Sequence, residues 1–279
     1  MVLRVLKSAF PSVLLLTLAT LFVGCAEEKS EAFKRNPYES AVNYFTKASR
    51  LRVEVAFEQG HAPFTETQIT LSNASPFPLW QITEENLAAL FFGRSNAPEV
   101  IVPKTLAEMH ELPAFSKSSW TAEEIYALGD KHRRHRSSAQ ESAFWVVFLG
   151  GQFRDGSQSY PNMVGVSLGG TSIVAIFKDV VRGTGGDVGL TTRYVEQATV
   201  VHELGHALGL VDNGLAMHQD HRDREHGKHC TANSCVMYWL NEGRADMVAF
   251  VARMIRDGTI IMFDSQCLED ARRFKASAP

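Results

Sequence analysis

The sequence predicts an α+β fold, a mixed and twisted sheet with helices packed against it, and three observations carry that prediction. Residues 51–57 (Leu-Arg-Val-Glu-Val-Ala-Phe) alternate apolar and polar side chains, the period of a strand. Residues 143–149 are a continuous apolar run closed by Gly150-Gly151, the pattern of a strand buried on both faces. Residues 164–168 and 171–177 flank Gly169-Gly170, which predicts a hairpin with a two-residue turn.

The remaining elements follow in chain order. Residues 68–72 form another candidate strand. Residues 83–92 read as a helix capped by Thr83, with Glu84 and Glu85 in the first turn where acids complement the helix dipole. Residues 99–102 are a short strand stopped by Pro103, and residues 121–132 a second helix, capped by Thr121. The basic run at 131–136 reads as the solvated end of that helix. Thr191 or Thr192 is expected to cap the helix that runs to Gly209, and residues 242–255 form a late helix. Residues 46–279 therefore read as one domain, in which 46–120 is either an N-terminal elaboration or half of the sheet. A formal net charge of −3, from 28 basic and 31 acidic residues, gives no reason to expect nucleic acid.

Arg4 and Lys7 precede an apolar stretch that ends at Val23-Gly24-Cys25. A basic start, a short apolar core and small residues at the cut describe a secretory signal over 1–24; the stretch is short for a membrane span. Its end resembles the lipobox of bacterial lipoproteins, with Phe22 where Leu is usual. That resemblance implies lipidation of Cys25 and anchoring to the lipid bilayer of a bacterial cell envelope; the polar stretch after Cys25 reads as a tether over 25–45, and a monomer is expected. Ala26 after the Cys resembles lipoproteins sorted to the outer membrane.

The chemistry lies in His202-Glu203-Leu204-Gly205-His206-Ala207-Leu208-Gly209. Residues four apart on a helix stand one above the other, so His202 and His206 can offer two imidazole nitrogens to one tetrahedral metal. Glu203, about 100° round the helix, is placed to act as general base on a metal-activated water. Val200, Val201, Leu204, Ala207 and Leu208 form an apolar stripe behind the metal-facing one.

A second string, His229-Cys230-Thr-Ala-Asn-Ser-Cys235-Val236-Met237, follows downstream. Together the two motifs resemble the archaemetzincins, a branch of the metzincin zinc proteases, over roughly residues 140–270. Their pattern is H-E-x-x-H-x-x-G-x-x-H-C-x4-C-x-M followed by C-x-x-C. The resemblance implies a metzincin-like catalytic domain, a zinc-dependent endopeptidase acting on peptides or proteins, and Met237 in a turn beneath the metal. Two departures leave alternatives open. Asp212 stands where the third zinc ligand is expected, while the His-Cys pair appears only after residues 213–228. Either Asp212 or His229 closes the catalytic site; His229 is favoured because it keeps its register with Cys230, Cys235 and Met237. The intervening loop carries His218, His221, Asp223 and His226, read as a solvated stretch along the cleft, with His221 and His226 as reserve ligands. The later pair reads Asp264-Ser265-Gln266-Cys267. Cys230, Cys235, Asp264 and Cys267 therefore either hold a second, structural zinc, or Cys230 and Cys235 form a disulfide and Cys267 is free. The rival functions are a non-catalytic metal-binding envelope lipoprotein on the same scaffold, and an aminopeptidase or non-peptide amidohydrolase.

Overall fold

The apolar run at 143–149 lies in a strand over Glu141–Leu149 at the centre of a six-stranded sheet. In this computed structural model, residues 37–275 are described, apart from 67, 71–74, 187 and 188. The signal over 1–24, Cys25 and the first part of the tether lie outside the described residues. A helix α1 (Pro37–Val42) and a π-helical turn (Asn43–Lys47) lead into β1 (Arg50–Glu58), α2 (Gln81–Leu90), β2 (Glu99–Ile101), a 3-10 turn (Leu106–Glu108), β3 (His110–Leu112), β4 (Ser119–Trp120), α3 (Ala122–His132) and β5 (Glu141–Leu149). Then come β6 (Gln152–Asp155), β7 (Gln158–Tyr160), β8 (Gly165–Ser167), β9 (Ile173–Phe177), α4 (Lys178–Arg182) and α5 (Leu190–Leu208). The C-terminal part holds β10 (Arg222–Asp223), β11 (His229–Cys230), a second 3-10 turn (Trp239–Glu242), α6 (Arg244–Asp257) and α7 (Ser265–Arg273).

The main sheet runs β2-β1-β5-β9-β8, with β3 pairing β1 beyond the end of β2. Its strands are parallel except β8, which lies antiparallel on the outer edge. Because β1, β2 and β3 supply one side of it, residues 46–120 are half of the sheet rather than an elaboration. The chain is packed well before residue 46: Ala41, Tyr44 and Phe45 are buried, so the reading of a polar tether does not extend over them. Buried apolar groups drive this, since each large side chain removed from water contributes about 1.5–3 kcal/mol. None of the helices among the described residues is long and apolar enough to cross a membrane.

Helix α5 crosses the sheet behind β8 and β9 and is flanked by α2 and α6. Val195, Ala198, Val201, Leu204 and Leu208 carry its buried side. The approach to β8 is close. A Cβ on Gly165 would stand 2.7 Å from Cγ2 of Thr199 and 3.0 Å from Cγ of Glu203. Only glycine lets the edge strand lie against the part of the helix that bears Glu203.

Several expectations need correction. Thr121 caps α3 in a capping box with Glu124, as its pattern predicts. Thr83 does not cap: α2 begins at Gln81, and the fully buried Thr83 hydroxyl donates to Oε1 of Gln197 on α5 at 2.7 Å. Neither Thr191 nor Thr192 caps α5, whose N-cap is Gly189; Thr192 is buried beside Thr184. Each threonine hydroxyl has another partner in place of a helix-end N–H, Thr83 across the core and Thr192 in the segment before the helix. The hairpin loop spans four residues, 169–172, not two, with Thr171 N–H donating to Leu168 O and Gly170 at φ 72. Ile69 makes only an isolated bridge to Phe77. The late helix starts at Arg244, leaving Glu242 in the turn before it. The basic run is not simply solvated: the backbone N–H groups of Arg134 and His135 donate to the buried Glu54 carboxylate.

Thr83→Val removes the donor and leaves the Gln197 carbonyl oxygen unpaired in the core. The expected cost is about 1–3 kcal/mol in urea unfolding, with an unchanged denaturant slope. No loss of stability would show that the contact between α2 and α5 contributes nothing.

Candidate metal centre

His202, Glu203 and His206 occupy the last turns of α5, which Gly209 ends at φ 94. Val211 and Asp212 follow, both left-handed (φ 54 and 58), and turn the chain away. It returns as β11, and His229 meets the helix. The Nε2 atom of His206 lies 3.1 Å from Nε2 of His202 and 3.2 Å from Nε2 of His229. With zinc–nitrogen bonds of about 2.0–2.1 Å, two nitrogens of one tetrahedron stand about 3.3 Å apart, so the three rings fit a shared zinc.

The backbone fixes which nitrogen faces inward. Nδ1 of His202 donates to Val236 O at 2.7 Å and Nδ1 of His229 to His226 O at 2.6 Å. A carbonyl oxygen only accepts, so in the neutral rings of His202 and His229 the proton sits on Nδ1 and the Nε2 lone pair is left facing His206. Burial, aided by the neighbouring His229, pushes the pKa of His202 down to about 4; burial also drives His206 well below its ordinary value. Burial opposes the charge of His229 too, but Glu242 beside it raises its pKa. Glu203 is 4% exposed. Burial and the charge of Glu242 hold its carboxyl well above the usual range, against the Ser167 N–H that favours the ionised form. A divalent cation among the rings would counter that rise.

Met237 forms the floor. A Cβ at Gly205 would overlap the Met237 sulfur and stand 3.3 Å from the Phe263 ring, and both Met237 and Phe263 are buried. Asn241 donates to the Cys235 and Val236 carbonyls at 3.1 and 3.0 Å, which holds the turn that carries the His202 acceptor.

Asp212 does not join the three rings. Its side chain is half exposed, and its carboxylate takes Arg222 at 2.9 Å and Lys228 at 3.6 Å. The loop histidines do not line a solvated cleft either. His226 stacks on Trp239 with ring centroids 3.7 Å apart and pairs with Asp223, while the backbone N–H of His218 donates to Asp270. His221 is buried against the second cluster. Glu242, which its sequence position suggests as the start of the late helix, completes a group with His202, His206 and His229 in which one donor atom of each lies within 4.8 Å of the others. An acid five residues after Met237 is its only signal in the sequence.

The second cluster contains Cys230, Cys235, Asp264 and Cys267, again within 4.8 Å of one another. Sγ of Cys235 and Cys267 are 3.6 Å apart, and Sγ of Cys230 is 3.7 Å from Oδ2 of Asp264. Sulfurs around one zinc stand about 3.8 Å apart, whereas a disulfide needs about 2.05 Å. All three thiols are free here, with no Cys230–Cys235 bridge. Asp264 divides its oxygens: Oδ1 caps α7 by accepting Cys267 N–H at 2.9 Å, and Oδ2 faces the sulfurs. Hydrogen bonds from Cys235 and Cys267 drive Cys230 strongly down, and the other two thiols rise. His221 closes this site, with Nδ1 3.3 Å from Cys230 Sγ and Nε2 2.7 Å from Asp270 Oδ2. Burial opposes its charge, yet Asp270 and Cys230 hold its pKa up to about 10.

No protein-family model matches this sequence, and no curated protein matches it. Among solved structures it is similar to a zinc-dependent peptidase from Methanocorpusculum labreanum strain Z, at 11% identity and a TM-score of 0.43, over 78% of this chain and 99% of the other. It is also similar to archaemetzincin from Methanopyrus kandleri, at 15% identity and a TM-score of 0.41, over 81% of this chain and 94% of the other.

Two outcomes test the packing around the clusters. Gly205→Ala displaces Met237 and is expected to cost about 1–3 kcal/mol in unfolding free energy; an unchanged melting temperature would contradict the close approach. His221 is protonated in the fold to about pH 10 but in the unfolded chain only to about 6.5. Its contribution is complete below the lower value and is lost as pH rises through the higher. In the metal-free protein, His221→Gln should therefore destabilise more at about pH 6 than at about pH 9.5. Equal deficits at both would overturn that assignment.

Proposed function

We propose that this chain is a zinc-dependent endopeptidase of metzincin type. The observation that carries the reading is the convergence of three buried Nε2 atoms, from His202, His206 and His229, two of whose rings are held by backbone carbonyls, beside the carboxylate of Glu203. A zinc ion held by the three imidazoles would supply an activated water and polarise the carbonyl of a peptide bond. The carboxylate of Glu203 takes the proton of the attacking water and delivers it to the leaving amine. Its bond from Ser167 N–H, together with glycine at 165, sets the carboxylate against the edge strand. An extended substrate adds to the outer edge of β8, where its backbone finds hydrogen-bond partners.

Burying a carboxylate is costly unless something uses it. A protein that only binds metal has no need of Glu203 at that position, which favours hydrolysis over a non-catalytic role. The Cys230, Cys235, Asp264 and Cys267 group is read as a second, structural zinc site, and the N-terminal leader as a lipid anchor that would hold the enzyme at a bacterial envelope.

The test combines metal analysis of the soluble domain with cleavage of a peptide library. Glu203→Gln should retain zinc and lose about 100-fold or more in cleavage rate; unchanged cleavage would sink the mechanism. His229→Ala should lose one zinc per chain, whereas Asp212→Asn should lose none. The reverse pattern would make Asp212 the ligand.

A further inference from the structure

Glu242 stands in the turn Trp239–Glu242, and its side chain is 13% exposed. Oε1 lies 3.2 Å from Nε2 of His229, the nitrogen that faces the other two rings. It is thus the fourth member of a group that already contains three imidazoles. The turn is anchored on each side. Glu242 O accepts Val164 N–H at 3.4 Å and Gly243 bridges Met163, which ties it to the chain entering β8. Trp239 stacks on His226, which ties it to the loop over 213–228.

Charge argues in the same direction. Glu203 and Glu242 are two acids close to the imidazoles of His202, His206 and His229, in a site almost closed to water. Two carboxylates beside three imidazole rings make a set that a divalent cation balances. A carboxylate oxygen is as acceptable to zinc as an imidazole nitrogen.

The geometry points to Glu242 as a fourth protein ligand of the zinc, so that the resting site is a closed three-His, one-Glu set and the carboxylate must leave before a substrate is cleaved. This inference rests on the reading of the three imidazoles as a zinc site. A fully protein-ligated zinc is a structural arrangement, whereas a hydrolytic one keeps a position open. Glu242 would therefore hold the enzyme latent, and movement of its turn would open the site.

The test uses the Co2+-loaded full domain and sodium azide as the probe, with His202→Ala as the reference that subtracts the cobalt bands of the three-sulfur cluster. In the wild type, azide should leave the visible spectrum unchanged. In Glu242→Ala it should perturb the spectrum, and the metal should bind about tenfold or more weakly at the imidazole site. Glu242→Gln keeps the side-chain size and decides the matter if the alanine variant does not fold. An azide response in the wild type equal to that of the variants would overturn the inference and leave the three-imidazole site standing. Equal cobalt stoichiometry in the wild type and His202→Ala would instead remove the zinc site, and with it both readings.

Discussion

Three imidazoles brought to one buried point, each presenting a lone pair, repel one another unless a cation stands among them. His202, His206 and His229 meet this condition, with Nε2 of His206 3.1 Å and 3.2 Å from Nε2 of the other two and almost no exposure to water. Much of the surrounding structure serves that meeting. Val236 and His226 lend carbonyl oxygens that set the tautomers. Gly205 admits Met237 beneath the helix, and Gly165 lets β8 close over Glu203. The sheet provides the rigid base, since α5 packs on β8 and β9 along its buried face.

The two clusters are joined through consecutive residues. His229 and Cys230 form β11, and successive side chains of a strand point to opposite faces. One therefore serves the imidazole group and the other the sulfur group. The same division recurs at Cys235 and Val236, where the sulfur faces Cys267 and the next carbonyl receives His202. The sulfur cluster and the imidazoles are thus separated by a single peptide unit at two places in the chain. The segment over 213–228 is fastened into this pair: His221 reaches Cys230 and Asp270, and His226 lies on Trp239. Its length moves His229 far along the sequence without moving it away from the helix.

The sequence made part of this legible, for local reasons. A continuous apolar run has few structural solutions, so β5 was readable, as was α3, whose capping box is complete within four residues. The spacing of His202 and His206 carries its own geometry, because a helix fixes residues four apart. Thr83 and Thr192 misled as caps because their partners, Gln197 and Thr184, lie across the core or before the helix. The hairpin loop came out longer because pairing begins only at Ile173. Asp212 stood at the expected offset, but two left-handed residues direct its carboxylate toward Arg222. Glu242 had no periodic signal, since its place depends on a 3-10 turn tied to residues nearly eighty positions earlier.

The most direct measurement is an anomalous difference map at the zinc absorption edge, from crystals of the metal-loaded domain. The account predicts a peak among Nε2 of His202, His206 and His229, and a second among the sulfurs of Cys230, Cys235 and Cys267. Density at Asp212, or none between the three imidazoles, would contradict it.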